Sequence, residues 1–218
     1  MTMRRIHARH AVIDGARRLG ILGLNKGTAG NLSVRVDEDS LLITPSGVPA
    51  EELRPQDIVL MDFDGTWRGE KKPSSEWRFH LDIMAGRPDV GAVVHTHAPF
   101  CTVLACLDKP IPPFHYMVAV AGGSDIRVAP YATFGTEELS RHALAALDGR
   151  KACLLSHHGM IAIGPDLSGA IKLAVQVEEL AQQYVRILQL GTPELLSEEE
   201  MERVLEKFKT YGSNAQTA

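Results

Sequence analysis

Val90-Gly91-Ala92-Val93-Val94-His95-Thr96-His97 is the stretch on which the fold turns. The run from Val90 to Val94 is short, apolar and β-branched, the mark of a buried strand, and it ends on a pair of imidazoles. In an extended chain residues i and i+2 face the same way, so His95 and His97 should converge. Working outward, strand-like runs recur on both sides. Before it lie Leu32-Ser33-Val34-Arg35-Val36, Leu41-Leu42-Ile43 and Ile58-Val59-Leu60-Met61, the last followed by the hairpin chemistry of Asp62-Phe63-Asp64-Gly65-Thr66. After it come Ile126-Arg127-Val128-Ala129, Ala152-Cys153-Leu154-Leu155-Ser156 and Met160-Ile161-Ala162-Ile163.

Helical signals are interleaved with these runs. They cover Thr2 to Leu22, stopped by Gly23; Ser74 to Ala85, with Ser as cap and Glu76 in the first turn; Pro99 to Leu107; Thr136 to Leu147; and Glu198 to Phe208. Leu167 to Leu190 is the longest periodic stretch, and its broad apolar face, including Ile171, Ala174, Val177, Leu180, Ala181 and Tyr184, must pack on the sheet. Strands with little regular βα alternation, with helices at both ends and in the middle, predict a sheet covered by helices, α/β or α+β. One domain over residues 1–212 is expected, with a mobile polar tail at 213–218.

At 218 residues and 44% hydrophobic, the chain can bury a large core. A formal charge of -4 and a pI near 6.1 argue against a nucleic-acid partner, which selects for strongly basic surfaces. Cys101, Cys106 and Cys153 form an odd set without CxxC spacing, which fits buried thiols in a reducing compartment. The polar, basic start Met1 to His10 lacks the apolar heart of a secretory signal, and no apolar run is long enough for a membrane span. A cytoplasmic location without a membrane partner is the expectation.

Imidazoles at strand ends point to metal chemistry, since His is a common ligand for zinc and similar ions. His157-His158-Gly159 ends a second apolar strand, and because neighbouring strand residues face opposite ways, one of the two should join His95 and His97. Periodicity leaves open which one. The competing reading is a set of packed or solvated histidines that merely close two strands. Ser74-Ser75-Glu76 offers hydroxyls and free N–H groups at a helix start beside a carboxylate, a combination suited to an anion or to simple capping. Gly27-Thr28-Ala29-Gly30-Asn31 and Thr44-Pro45-Ser46-Gly47 could add donors to the same anion.

These motifs occur in order together with Pro73-Ser74-Ser75-Glu76-Trp77 and Ala129-Pro130-Tyr131-Ala132-Thr133-Phe134-Gly135-Thr136. On them the chain resembles the class II aldolase/adducin family, above all its fuculose-phosphate aldolases, over nearly its whole length. The resemblance implies an α/β (α+β) fold with a central, mainly antiparallel sheet flanked by helices. It further implies a cyclic homotetramer with sites between neighbouring subunits. Carried over by position, zinc, or another divalent ion such as Mn2+ or Co2+, would be held by His95, His97 and His158, with Glu76 a ligand in the resting state. The substrate phosphate would lie among Thr28, Gly30, Asn31, Ser46, Gly47, Ser74 and Ser75. Tyr116 would serve the aldehyde oxygen from the adjacent subunit, and Phe134 and Tyr211 would wall the aldehyde end.

The implied reaction cleaves L-fuculose 1-phosphate or a similar ketose 1-phosphate to dihydroxyacetone phosphate and an aldehyde, through a metal-stabilised enediolate. Glu76, displaced from the metal by substrate, would move the proton on the ketone-derived carbon. Relatives acting on 5-deoxyribulose or methylthioribulose 1-phosphate share the phosphate and enediolate ends and differ only in the aldehyde pocket. Pentose-phosphate 4-epimerases of the same superfamily typically carry Asp at the Glu76 position, and methylthioribulose-phosphate dehydratases differ in loops and catalytic acid. A Schiff-base aldolase would need a desolvated lysine, whereas Lys71-Lys72, Lys151, Lys172 and Lys207 sit in polar runs or on helix faces. A scaffold of the adducin kind would not keep all the ligand positions.

Overall fold

Period-two alternation sorts the strand residues onto two faces, and a helical layer packs against each. The computed structural model describes residues 3–209; the expected domain end at 212 and the tail at 213–218 lie outside the described residues. In chain order the first half runs α1 (Met3–Ile21), β1 (Asn31–Asp37), β2 (Ser40–Ile43), β3 (Val59–Asp62), β4 (Trp67–Arg68), α2 (Trp77–Gly86), β5 (Ala92–Thr96) and α3 (Pro99–Cys106). The second half runs β6 (Val128–Ala129), α4 (Glu137–Ala146), β7 (Ala152–Leu155), β8 (Gly159–Gly164), α5 (Leu167–Leu190) and α6 (Glu198–Phe208).

The strands form one eight-stranded sheet in the order β4-β3-β2-β1-β5-β8-β7-β6. All neighbours are antiparallel except β6 and β7. The α/β reading with a mainly antiparallel sheet therefore holds. The opening stretch supplies β5, which lies between β1 and β8 and is buried along its whole length. Val94 faces the layer of α1, α3, α5 and α6, while Val93 faces the layer of α2 and α4.

Local chemistry sets most element ends. Asp166 caps α5 by accepting from Gly169 N–H at 2.7 Å, and Thr136 caps α4 by accepting from Leu139 N–H at 3.2 Å. The α5 span matches its periodicity, with Ala170, Ala174, Val177, Ala181 and Tyr184 on the buried stripe. The Asp62-to-Thr66 turn forms as its chemistry requires, with Asp64 Oδ1 accepting from Thr66 N–H at 2.8 Å.

Most boundaries fall within one residue of expectation, and three elements depart from it further. The strand expected from Val90 and ending in His95-Thr96-His97 is trimmed at both ends to Ala92–Thr96; at its start Gly91 passes so close to the turn after β8 that a Cβ there would lie 2.0 Å from the Pro165 carbonyl oxygen. The Ile126–Ala129 strand shrinks to Val128–Ala129, since Ile126 is paired instead with Ile111. The helix expected from Ser74 starts at Trp77, with Glu76 at its cap position. Ser74 N–H donates to Thr44 O at 3.0 Å and Ser46 N–H to Lys72 O at 3.1 Å, so Lys72–Ser74 is held extended against the 44–46 turn. That tether is what lays two small-polar loops side by side.

Gly159 opens β8 under the end of β5, where a Cβ would lie 2.3 Å from the Thr96 carbonyl oxygen and 3.2 Å from the His97 ring. Backbone cannot yield as a flexible side chain can. Gly159→Ala is therefore expected to destabilise the protein by roughly 1–3 kcal/mol, read as a lowered urea midpoint; an unchanged midpoint would refute this packing.

Candidate active site

His95 comes from the buried end of β5, and its ring orientation is fixed from behind. Its Nδ1 lies 2.9 Å from the Met160 carbonyl oxygen, which can only accept, so Nδ1 carries the proton. Nε2 is the nitrogen turned into the site, and in the neutral ring it carries the lone pair. His97 lies one residue past the strand end, not within the strand as expected, yet its Nε2 still sits 3.1 Å from His95 Nε2. Its backbone N–H is held by Asn25 Oδ1 at 3.2 Å.

Between β7 and β8 the choice that periodicity left open is made by the backbone. His157 adopts a left-handed conformation, φ 52°, which turns the chain and sends the two neighbouring rings apart. His158 joins the cluster, with its ring 4.7 Å from that of His95. His157 goes to the rim, its ring 6.1 Å from that of Tyr131.

Glu76, buried at the start of α2, closes the set. Its Oε2 lies 3.2 Å from His95 Nε2 and its Oε1 3.1 Å from His158 Nε2. Oε1 nevertheless has no aligned hydrogen-bond donor, and one ligand atom from each of Glu76, His95, His97 and His158 falls within 4.8 Å of all the others. Burial pushes the Glu76 carboxyl up, but His95, His158 and Asn31 outweigh it and hold the group well below the usual carboxylate range. Burial and then His95 push His97 down, and push His158 down to about 4. An ionised carboxylate set among imidazole nitrogens, with His97 and His158 held toward their neutral forms, is a donor set suited to a cation. Three nitrogens and one carboxylate fit a catalytic divalent-metal site.

The expected phosphate residues Thr28, Gly30, Asn31, Ser46, Gly47, Ser74 and Ser75 all line one cleft of ≈ 340 Å³, whose floor is Glu76, His97 and His158. Gly30 is left-handed at φ 72°, and a Cβ there would collide with the Asn25 amide, which explains glycine at that bend. Asn31 is more than a cleft residue. Its amide donates to Glu76 Oε2 at 2.9 Å and its carbonyl oxygen lies 2.5 Å from His80 Nε2. Phe134 stands at the cleft wall. Tyr116 does not line it; it sits 51% exposed against Phe114, His115 and residues of α6 in a separate groove. Tyr211 lies outside the described residues.

Sequence reasoning passed over Tyr131 and His157 on the cleft wall, and Asn25, Ser33 and His80 behind it. Tyr131 and His157 lay within motifs already singled out, so they were findable. Ser33 and His80 look like ordinary strand and helix positions until the fold pairs them.

The sequence profile of the family described as "Class II Aldolase and Adducin N-terminal domain" matches residues 10–185. The chain belongs to the class II aldolase family. It is 73% identical over 212 residues, 97% of this chain and 96% of the relative, to the "5-methylthioribulose-1-phosphate/5-deoxyribulose-1-phosphate aldolase" of Rhodospirillum rubrum. It is 54% identical over 202 residues, 92% of this chain and 94% of the relative, to the "L-fuculose phosphate aldolase" of Escherichia coli O6:H1. Among solved structures, an "L-fuculose 1-phosphate aldolase" superposes with a TM-score of 0.90 at 44% identity, covering 93% of this chain and 96% of the other. This class II aldolase is thus a lyase, and such enzymes use a divalent metal, for which the Glu76/His95/His97/His158 cluster is fitted.

Two measurements follow. His95→Ala should lower Zn2+ affinity by at least about 100-fold in equilibrium dialysis, as removal of a ligand outweighs the 10–100-fold typical of an outer partner; undiminished affinity would place the metal elsewhere. The second concerns pH. Burial, with His95 nearby, holds His80 at about 3 against an ordinary 6.5. On acidification the unfolded chain takes up that proton first, so the contribution is complete above pH 6.5 and lost as pH falls toward 3. His158 in the metal-free protein adds in the same direction down to about 4. Unfolding free energy of metal-free protein should fall by about 1.4 kcal/mol per pH unit for each such group below its unfolded value; equal stability at pH 7 and pH 5 would contradict it.

Proposed function

We propose that this class II aldolase cleaves 5-methylthioribulose 1-phosphate or 5-deoxyribulose 1-phosphate to dihydroxyacetone phosphate and, respectively, methylthioacetaldehyde or acetaldehyde. The observation that carries the reading is the 73% identity, over 97% of the chain, to the Rhodospirillum rubrum enzyme named for those substrates. The sequence alone put L-fuculose 1-phosphate first. Relatives named for that substrate stand lower, at 54%, so it becomes the second reading. Phe134 and Tyr131, both more than half exposed at the cleft wall, suit an apolar thioether, which packs well on aromatic rings.

In this reading Ser74, Ser75, Ser46 and Thr28 donate hydroxyls to the phosphate, and the backbone N–H groups of Gly30 and Gly47 add to them. His95, His97 and His158, with Glu76 as a ligand until substrate displaces it, would hold a divalent ion, zinc by preference, which would supply Lewis-acid stabilisation of oxyanion charge on the ketose. Glu76 is ionised and held against Asn31, and it carries the proton to and from the ketone-side carbon as the carbon–carbon bond breaks or forms. The phenol of Tyr116 exchanges the proton of the oxygen that becomes the aldehyde. Because Tyr116 lies exposed and away from its own cleft, this role requires a neighbouring subunit, as in the cyclic homotetramer with shared sites that the family resemblance implies.

No helix among the described residues is long and apolar enough to cross a membrane, and the cysteines are free thiols. Both features are in keeping with work on a small phosphorylated sugar in a reducing cytoplasm.

An assay for dihydroxyacetone phosphate across the three ketose phosphates is expected to give a kcat/KM at least about 10-fold higher for the methylthio or deoxy substrate, worth one apolar-pocket contact. A preference for L-fuculose 1-phosphate would reinstate the second reading, and release of an epimer without triose phosphate would end the aldolase assignment of this site. Glu76→Gln should lower kcat by about 10²–10⁴-fold. Mixing Glu76→Gln with Tyr116→Phe subunits should restore activity that neither variant has alone; no recovery after subunit exchange would place Tyr116 outside the reaction.

A further inference from the structure

Behind Glu76 and Asn31 runs a buried polar line whose far members, His80 and Ser33, the reaction as described does not use. Asn31 and Ser33 are i and i+2 on β1 and so share the face turned toward α2. Glu76 and His80 are i and i+4 at the start of α2, one turn apart on one face. The two pairs interlock. Ser33 Oγ is 2.8 Å from His80 Nδ1, His80 Nε2 is 2.5 Å from Asn31 Oδ1, and Asn31 Nδ2 is 2.9 Å from Glu76 Oε2. All four side chains are buried, Ser33 and His80 completely.

The direction of this line is forced from one end. An ionised carboxylate only accepts, so Asn31 must present its NH2 to Glu76 and its carbonyl oxygen to His80. His80 must then carry its proton on Nε2, which leaves Nδ1 to accept from the Ser33 hydroxyl. Each bond polarises the next, and in a water-free interior such a chain is stiffer than its separate links. With the amide locked this way, Asn31 keeps one N–H for Glu76 and has one left for the cleft that it lines.

We propose that His80, backed by Ser33, is a positioning residue that locks the Asn31 amide and through it fixes the Glu76 carboxylate for metal binding and proton transfer. Without the His80 donor the buried Asn31 carbonyl oxygen loses its partner, so the amide keeps only its bond to Glu76 and no longer holds the carboxylate at a fixed angle. The inference rests on the reading of Glu76 given above. Nothing in it requires His80 to touch substrate or to change its charge.

The test uses three variants of the full chain. His80→Met removes the donor at similar volume, His80→Gln keeps an N–H for Asn31, and Ser33→Ala removes only the far end. Zn2+ affinity is measured by competition with a chromogenic chelator, beside thermal midpoint, kcat and KM. His80→Met is expected to lose about 10–100-fold in Zn2+ affinity and a similar factor in kcat, as other outer partners of metal sites do, with KM nearly unchanged. His80→Gln should recover most of both, and Ser33→Ala should fall in the same direction by less. If His80→Met lowers only the thermal midpoint and leaves Zn2+ affinity and kcat within about 2-fold of wild type, far short of the outer-partner effect, the residue is structural and the proposal is wrong. Should His80→Met fail to fold, Ser33→Ala decides alone: wild-type Zn2+ affinity overturns the proposal. Glu76→Gln serves as reference. A drop there without one in His80→Met rejects the relay only, whereas no drop in either rejects the reading of Glu76 as well.

Discussion

A buried, ionised carboxylate facing imidazole lone pairs is the constraint from which the rest of this molecule follows. Glu76, His95, His97 and His158 bring ligand atoms within 4.8 Å of one another, and at His95 the proton is tied up on the far side by the Met160 carbonyl. Lone pairs this close, two of them on the buried Glu76 and His95, repel unless a cation sits among them. The arrangement is therefore costly in the empty protein and favourable in the loaded one, which is how a metal site comes to be coupled to stability.

The sheet makes this arrangement possible by placing four chain segments at one point. His95 and His97 arrive at the end of central β5, and His158 comes off the left-handed turn into the neighbouring strand β8. Glu76 arrives from the start of α2, whose delayed beginning is enforced by the tether between the 72–74 segment and the 44–46 turn. The same tether brings Ser46 and Gly47 beside Ser74 and Ser75, so the edge proposed for the phosphate and the floor fitted for a metal are products of one local constraint. Function in this chain is concentrated where elements end, with the sheet itself serving as the rigid support.

Much of this was legible in the residues. Alternation and helical period located the strands and helices because burial on one face dictates them, and α5 and α6 matched to the residue. The histidines announced themselves as polar groups closing apolar strands. What stayed hidden depends on contacts between distant segments. Periodicity could not choose His158 over His157, because the choice is made by one left-handed residue. Capping rules put a helix start at Ser74, because they do not see the hydrogen bonds that hold Ser74 extended against Thr44. His80 and Ser33 carry no local signal at all, since each has meaning only through the other. The aldehyde partner was the least legible feature: the motifs common to the family describe the metal and phosphate ends and are silent on the remainder of the sugar, where a comparison of whole chains moved the reading from fuculose phosphate to the methylthio and deoxy ketoses.

The central claim is that these four side chains form one inner coordination sphere. X-ray absorption at the zinc edge of the Zn2+-loaded protein tests it most directly. The account predicts three nitrogen scatterers at about 2.0–2.1 Å with imidazole outer-shell features and an oxygen at about 2.0–2.2 Å, with no sulfur. A sulfur scatterer near about 2.3 Å, or a shell of light atoms without imidazole features, would contradict it.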